Sequence, residues 1–430
     1  MNRVVVTGVG AVTPFGLGAD LLWKSLLENK NGITKIPDDR ITGDVVSIGG
    51  CLPKVDFRDY VDQDKELFSY IPQNKNNMSF FMAAYEALNQ SGLDPRKMES
   101  TDNIGVCIAD RNSGMIDYID DYANLMKCSQ EDGIYNLNKY YDLLQKSGFG
   151  KEKEYDDNES INHFVSRNYK ITGPQLSVAT ACASGNNAIG EAFLKIKYGL
   201  IDIAIAGGAY NLDVKSQMGF TRIGALTTNP NPDEACRPFD ANRNGFVMSS
   251  GCGILILESL ESAKKRNAKI LAEISGYGCM SDAYRSTDPD PEAKAAIKTI
   301  EQCLEMANLN TDQIDYINAH GTSTKMNDYT ETVAVKSVFK ERAYGIPISS
   351  TKSMIGHAIM AAAAIEAIVC VKSIQDEMVH QTHNYKDRDP ELDLDYVTEG
   401  PRKVKINHAL SNSFGFGGQN SSIIVSKFSD

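Results

Sequence analysis

Three polar, small-residue segments each carry one side chain suited to covalent chemistry. Val-Ala-Thr-Ala-Cys182-Ala-Ser-Gly offers a thiol among residues small enough for an acyl chain to reach sulfur. Asn-Ala-His320-Gly-Thr-Ser-Thr and Thr-Lys-Ser-Met-Ile-Gly-His357 hold two of the six histidines. A thiolate is a strong nucleophile and a workable leaving group, so a cysteine with imidazoles nearby suits acyl transfer through a thioester. Neutral imidazoles can also donate a hydrogen bond to a developing oxyanion. Lys352, five residues before His357, brings a positive charge to the same loop. Singly, each has an ordinary reading: a buried structural cysteine, solvated histidines, a surface lysine. A fourth segment, Leu410-Ser-Asn412-Ser-Phe414-Gly-Phe416-Gly-Gly418, is dense in glycine. It could supply backbone N–H groups to an anion and hinge a gating aromatic, or form a tight structural turn.

The elements expected to position these residues are strands and helices of an α/β protein. Cys182 follows a strand at 176–180 and precedes a helix at 185–199, whose positive end is expected to lower the thiol pKa. His320 lies just beyond a strand at 316–317. His357 follows a strand at 346–349 and is expected to open the alanine-rich helix 358–375, which carries Glu366 and would favour a neutral ring. These positions are strand ends, where α/β architectures place their chemistry. Further strands are expected at 3–13, 103–109, 201–206, 253–258, 269–275, 406–410 and 421–425. Helices are expected at 76–92, 259–267, 291–307 and 328–339. Continuously apolar strands alternating with helices imply sheets covered on both faces. Residues 1–267 and 268–430 read as two halves of one body. The Gly-x-Gly at 8–10 lacks the rest of a dinucleotide fingerprint and reads as tight packing. Residues 112–170, rich in tyrosine, lysine, asparagine and acid, read as a cap or interface region, or as a tolerated insertion.

Composition narrows the partners. Hydrophobic residues make up 42%, charged residues 23%, and the net charge is −12, which argues against nucleic acid. The densest basic run, Lys264-Lys265-Arg266-Asn267-Ala268-Lys269, reads as a solvated helix end or a contact for an acidic protein. The nine cysteines are irregularly spaced with no CxxC pair, so neither a disulfide framework nor a structural zinc site is expected. No apolar stretch reaches membrane-spanning length and no signal peptide is evident, which makes cytoplasm the default.

In their order along the chain, the motifs resemble those of β-ketoacyl-acyl-carrier-protein synthases of the elongating type II class, within the thiolase-like superfamily. The resemblance runs from Arg3-Val-Val-Val-Thr-Gly-Val-Gly through Thr180-Ala-Cys182-Ala-Ser-Gly, Arg237-Pro-Phe-Asp240 and the two histidine loops to Asn412-Ser-Phe-Gly-Phe-Gly-Gly. It implies an α/β thiolase-like fold of duplicated halves in five αβαβα layers. It implies a homodimer, with a heterodimer as the alternative, and neither cofactor nor metal. Cys182 would accept an acyl group from an acyl carrier protein or coenzyme A. His320 and His357 would promote decarboxylation of a malonyl thioester and stabilise the enolate that attacks the Cys182 thioester. The N–H groups of Cys182 and Phe414 would form the oxyanion hole, with Gly415 beside them and Phe414 as gate. Lys352 and Glu366 would hold the electrostatics. Thr322, Thr324, Asn412 and Phe416 would contact substrate. Related thiolases carry a second cysteine and initiating synthases a Cys–His–Asn set; this chain has neither.

It also departs from the family pattern. Tyr210 and Ser250 replace acidic residues, Asn244 replaces another, and the arginine expected before Ala225-Leu-Thr is missing. The stretch after Asp282-Ala-Tyr-Arg is shortened. The leading expectation is a β-ketoacyl-carrier-protein synthase of lipid synthesis. The alternative is a specialised type II polyketide or polyene ketosynthase with a heteromeric, non-catalytic chain-length partner. Such partners lose the active cysteine, so Cys182 would make this chain the catalytic member.

Overall fold

Ten strands set the frame, and the continuously apolar ones among them must be covered on both sides. In the computed structural model, which describes residues 1–36, 47–53, 67, 75–110, 136, 138–142 and 160–429, the first half contributes five strands. They are β1 (Val4–Thr13), β2 (Ile104–Ala109), β3 (Gln175–Val178), β4 (Ile203–Tyr210) and β5 (Gly251–Ser259). The second half contributes β6 (Ala272–Ser281), β7 (Tyr316–Asn318), β8 (Ile348–Ser349), β9 (His408–Gly415) and β10 (Gln419–Ser426). The two sets pair by the same rule. The first strand runs antiparallel to the last and the last antiparallel to the fourth. The fourth runs parallel to the second and the second parallel to the third. This repeated topology is the expected duplication. A short pairing of Val4–Val6 with Ala272–Ile274 joins the halves into one 11-stranded sheet, its eleventh member being Gly16–Leu17 on β1.

Helices form the remaining layers. The outer layer of the first half is α1 (Lys75–Ser91), packed on β1 and β5, with α2 (Ile161–Tyr169) beside it. Between the half-sheets lie α3 (Ser184–Lys197) and, later in the chain, the alanine-rich helix Ala362–Asp376. On the far side α4 (Lys294–Ala307) covers β6 and β10, and α5 (Lys325–Phe339) packs on α4. With α6 (Ala362–Asp376) the order is helix, sheet, helix, sheet, helix. The central helices approach closely enough that a Cβ on Gly185 would lie 2.7 Å from the Ala364 nitrogen. The Gly8 and Gly10 pair serves packing, as expected: a Cβ on either would sit 2.0 Å from a carbonyl oxygen of α1.

Several boundaries differ from the sequence reading in ways that matter for the site. β9 runs to Gly415, so Asn412 and Phe414 belong to a strand and only residues 416–418 turn. α6 begins at Ala362, five residues after His357. The cap region expected at 112–170 lies outside the described residues except for 136, 138–142 and 160–170. In the basic run, Arg266 is half-buried and donates to the buried Glu258 carboxylate, so that part of the run is structural. Among the described residues, no helix is long and apolar enough to cross a membrane.

Candidate active site

β3 ends below a tight turn. Thr180 is followed by the single 3-10 turn Ala181–Ala183, and α3 starts at Ser184. Ser184 closes the turn, its hydroxyl accepting the Thr180 N–H at 2.8 Å and donating to the Ala181 carbonyl at 2.6 Å. Ala181 is left-handed, with φ +49°, a conformation costing roughly 1–3 kcal/mol in a residue with a Cβ. The strained turn presents Cys182, which is 7% exposed. The Ser413 hydroxyl of β9 donates to the Cys182 carbonyl at 2.8 Å, fastening the nucleophile's turn to the second half.

That half brings both imidazoles to the sulfur. His357 Nε2 lies 3.1 Å from Cys182 Sγ, and the His320 and His357 rings stand edge to face with centroids 5.3 Å apart. One ligand-type atom from each of the three residues falls within 4.8 Å of the others. His357 does not open a helix as expected. Its N–H donates to the Val247 carbonyl and its carbonyl accepts the Ser249 N–H, so an extended bridge to residues 247–249 holds it. The ring's Nδ1 accepts the Ile359 N–H at 3.1 Å. An amide can only donate, so the proton of the neutral ring resides on Nε2 and faces the thiol. Ile359 adopts φ +41° to make this bond, an outlier conformation for a β-branched residue.

His320 is held through its backbone. Glu331 of α5 accepts the His320 N–H at 2.9 Å and the Gly321 N–H at 2.8 Å. Lys352 and Glu366 form an ion pair, with Nζ 2.5 Å from Oε1 and both side chains excluded from solvent.

Burial dominates the electrostatics. It pushes the Cys182 thiol up to about 11, opposed by the Lys352 cation and by the backbone N–H groups of Phe416 and Cys182. The lowered thiol pKa expected from a helix end is therefore overturned: desolvation of the thiolate outweighs nearby positive charge. Burial and the Lys352 cation hold both His320 and His357 well below the usual imidazole range. Burial raises the Glu366 carboxyl to about 7 against the pull of Lys352, and raises Glu331 to about 7 against its two backbone donors.

A cavity of about 410 Å³ opens onto the trio. Thr322 and Thr324 line it, with hydroxyl oxygens 2.9 Å apart, as do Phe414, Gly415 and Phe416. Two assignments change. The amide next to the sulfur is that of Phe416, because Phe414 is locked in β9 opposite Asn420. Phe414 is buried with its ring 6.0 Å from His320, whereas Phe416 is half-buried in the turn and packs on Phe220. Asn412 turns away from the cavity, donating to Glu331 and accepting from the Ser422 hydroxyl. Sequence reasoning missed Glu331; its only signal is an inward position on the helix that follows the His320 loop. It also missed the clamp on the glycine turn, where Asp282 accepts from Asn420 at 2.7 Å and Gly417 donates to the Ser286 carbonyl.

Comparison with known proteins agrees with this geometry. Residues 1–263 match the N-terminal domain of beta-ketoacyl synthases and residues 271–386 the C-terminal domain. The chain is 36% identical to 3-oxoacyl-[acyl-carrier-protein] synthase 2 of Staphylococcus aureus (strain COL), over 99% of each chain. It superposes with a TM-score of 0.84 and 34% identity on a ketosynthase bound to a hexaketide, in complex with its type II polyketide synthase acyl-carrier protein, covering 99% of this chain and 100% of that one. The ishigamide ketosynthase/chain length factor gives a TM-score of 0.82 at 28% identity, covering 100% of both. With both domains matched and its Cys–His–His set assembled, this chain belongs to the β-ketoacyl synthase family of condensing enzymes.

Proposed function

We propose that this chain is the catalytic ketosynthase of a type II polyketide- or polyene-forming system, acting on thioesters of an acyl carrier protein beside a non-catalytic chain-length partner. The observation that carries the catalytic part is the approach of His357 Nε2 to Cys182 Sγ with His320 at its side. In the loading half-reaction the Cys182 sulfur attacks the carrier-bound acyl thioester. The acyl group moves to Cys182 and the carrier thiol leaves with the proton. The Cys182 and Phe416 N–H groups then face the oxyanion. In the second half-reaction the malonyl thioester loses carbon dioxide. His357, protonated on Nε2, and His320 donate to the enolate oxygen, and the enolate carbon attacks the Cys182 thioester, freeing the thiolate. Held neutral, both rings donate hydrogen bonds without placing further positive charge beside Lys352. One lost donor at such an oxyanion costs about 3 kcal/mol, a hundredfold or more in rate.

The polyketide assignment is supported by the likeness to the hexaketide-bound ketosynthase and to the ketosynthase/chain length factor. Two departures from the family pattern also bear on it: Asn244 and the Ile223–Gly224–Ala225 stretch line the cavity. For a second chain, the edge strand β3 supplies a docking ladder. Among the described residues it pairs only with β2, it exposes Gln175 and Ser177, and it leads directly to Cys182. An acyl chain on Cys182 would therefore extend near a partner.

Incubation with carrier-protein thioesters of graded length and polarity, read by intact mass, tests the proposal. Poly-β-keto or polyenoyl groups are expected to load on Cys182 and to be extended with malonyl carrier. Loading and extension of saturated acyl groups alone would return the chain to lipid synthesis, and no loading at all would remove the catalytic reading.

A further inference from the structure

Behind the site, the fully buried His380 bonds the segment that carries Lys352 and, through Thr351 and Ser349, reaches the strand that leads to His320, yet it lies outside the cavity. Its Nδ1 is 2.8 Å from the Gln381 carbonyl, which can only accept, so Nδ1 holds the ring proton. Nε2 is thereby an acceptor, 3.0 Å from Thr351 Oγ1 and 3.3 Å from Ser349 Oγ. Burial keeps the ring neutral, lowering its pKa to about 4. The network continues to the other loop. Asn318 Nδ2 donates to Thr351 Oγ1 at 3.0 Å and to Tyr316 OH at 3.0 Å, and Tyr316 OH lies 2.8 Å from Ser349 Oγ. These five side chains form a closed ring with no solvent contact. Asn318 stands two residues before His320, and Thr351 stands immediately before Lys352.

The neighbours of His380 grip the same turn. Thr382 Oγ1 accepts the Ser350 N–H at 3.2 Å, and the His383 N–H donates to Ser353 Oγ at 2.9 Å. From the other side the Ser350 hydroxyl donates to the Gly321 carbonyl at 2.7 Å. Residues 380–383 thus act as an internal strap across the turn that carries Lys352.

We propose that His380 is a positioning residue of the condensing site: as an acceptor shared by Thr351 and Ser349, it fixes the Lys352 turn against the His320 loop and so sets how strongly the Lys352 charge acts on Cys182. The inference rests on the reading above only in taking Cys182 as the nucleophile. A buried hydroxyl that loses its acceptor must find another or pay desolvation, so removing the ring's acceptor displaces the turn.

The test is the rate of Cys182 alkylation by iodoacetamide at pH 8, followed on the Cys182 peptide by mass spectrometry, with the melting temperature recorded for each protein. It needs no carrier protein or malonyl group, so failure of the polyketide assignment leaves it intact. His380→Leu removes the acceptor, Thr351→Val removes the hydroxyl with little change of volume, and His380→Gln retains an acceptor. The rate is expected to fall roughly threefold or more in His380→Leu and Thr351→Val, because a weaker Lys352 influence leaves less thiolate. His380→Gln is expected to stay within roughly twofold of the wild type. A site that is merely loosened would expose sulfur and react faster. Unchanged or faster alkylation in Thr351→Val, or a Gln variant as slow as Leu, would overturn the assignment. Should His380→Leu fail to fold, Thr351→Val and His380→Gln decide the matter.

Discussion

His357 reaches Cys182 with one nitrogen while the backbone holds the other: Nε2 is 3.1 Å from Sγ, and Nδ1 accepts the Ile359 N–H at 3.1 Å. The amide fixes the tautomer, and the tautomer makes His357 a donor toward the reacting atoms. Replacing His357 with alanine should therefore slow malonyl decarboxylation about a hundredfold or more. His320→Ala should do the same. Carbon dioxide release from a malonyl thioester measures both, and retention of wild-type rates in either variant would remove that ring from the enolate site.

Cys182→Gln separates the half-reactions. The amide cannot accept an acyl group, so loading and chain extension should vanish. Decarboxylation should persist, since both imidazoles remain. Loss of decarboxylation as well would mean that the thiol takes part in that step.

Lys352 and Glu366 are a buried ion pair, and breaking one side of such a pair typically costs about 3–5 kcal/mol. Glu366→Gln alone and Lys352→Met alone should each lower the urea midpoint sharply. The double variant should regain much of that stability without regaining condensation. Equal losses in the single and double variants would show that the two groups are uncoupled.

Buried histidines make stability fall as pH falls, and the share due to His380 can be isolated. Its pKa is about 4 in the folded chain against 6.5 for an ordinary imidazole, with burial the principal cause. Below pH 6.5 the unfolded chain takes up a proton that the folded chain refuses, so falling pH favours unfolding until about pH 4. Between pH 7 and 5 the wild type should lose about 2 kcal/mol of stability relative to His380→Gln. Comparing the two proteins cancels the opposite contribution of Glu331 and Glu366, whose raised pKa values are shared by both. Parallel stability curves would show that His380 titrates normally.

Much of the fold was legible because its signals are local. Continuous apolar strands, the alanine-rich helix and the glycines at 8–10 each report how densely a segment is covered. The candidate trio was legible in kind, since Cys182, His320 and His357 stand in polar, small-residue segments, whereas the supporting roles of Lys352 and Glu366 rest on the family resemblance. Less legible were facts set by pairing. Phe414 and Phe416 are two residues apart in one motif, and only the register of β9 against β10 puts Phe414 in the ladder and Phe416 in the turn. Asn412 looked like a ligand contact, but the same strand directs it to Glu331 and Ser422.

The sequence by itself determined which chemistry is available, because residue type fixes nucleophilicity and hydrogen-bonding capacity. The tertiary structure alone decided the protonation states and the geometry. The thiol that a helix end should have acidified is instead raised to about 11, because desolvation depends on what the rest of the chain packs around it. The His357 tautomer depends on the amide of a strained isoleucine, and the His320 loop meets the Lys352 turn through Asn318–Thr351 and Gly321–Ser350 bonds, with His380 accepting from behind. Composition and spacing do not encode such contacts; they exist only once the segments of the second half have packed on one another, and the approach of His357 to Cys182 exists only once the two halves have met.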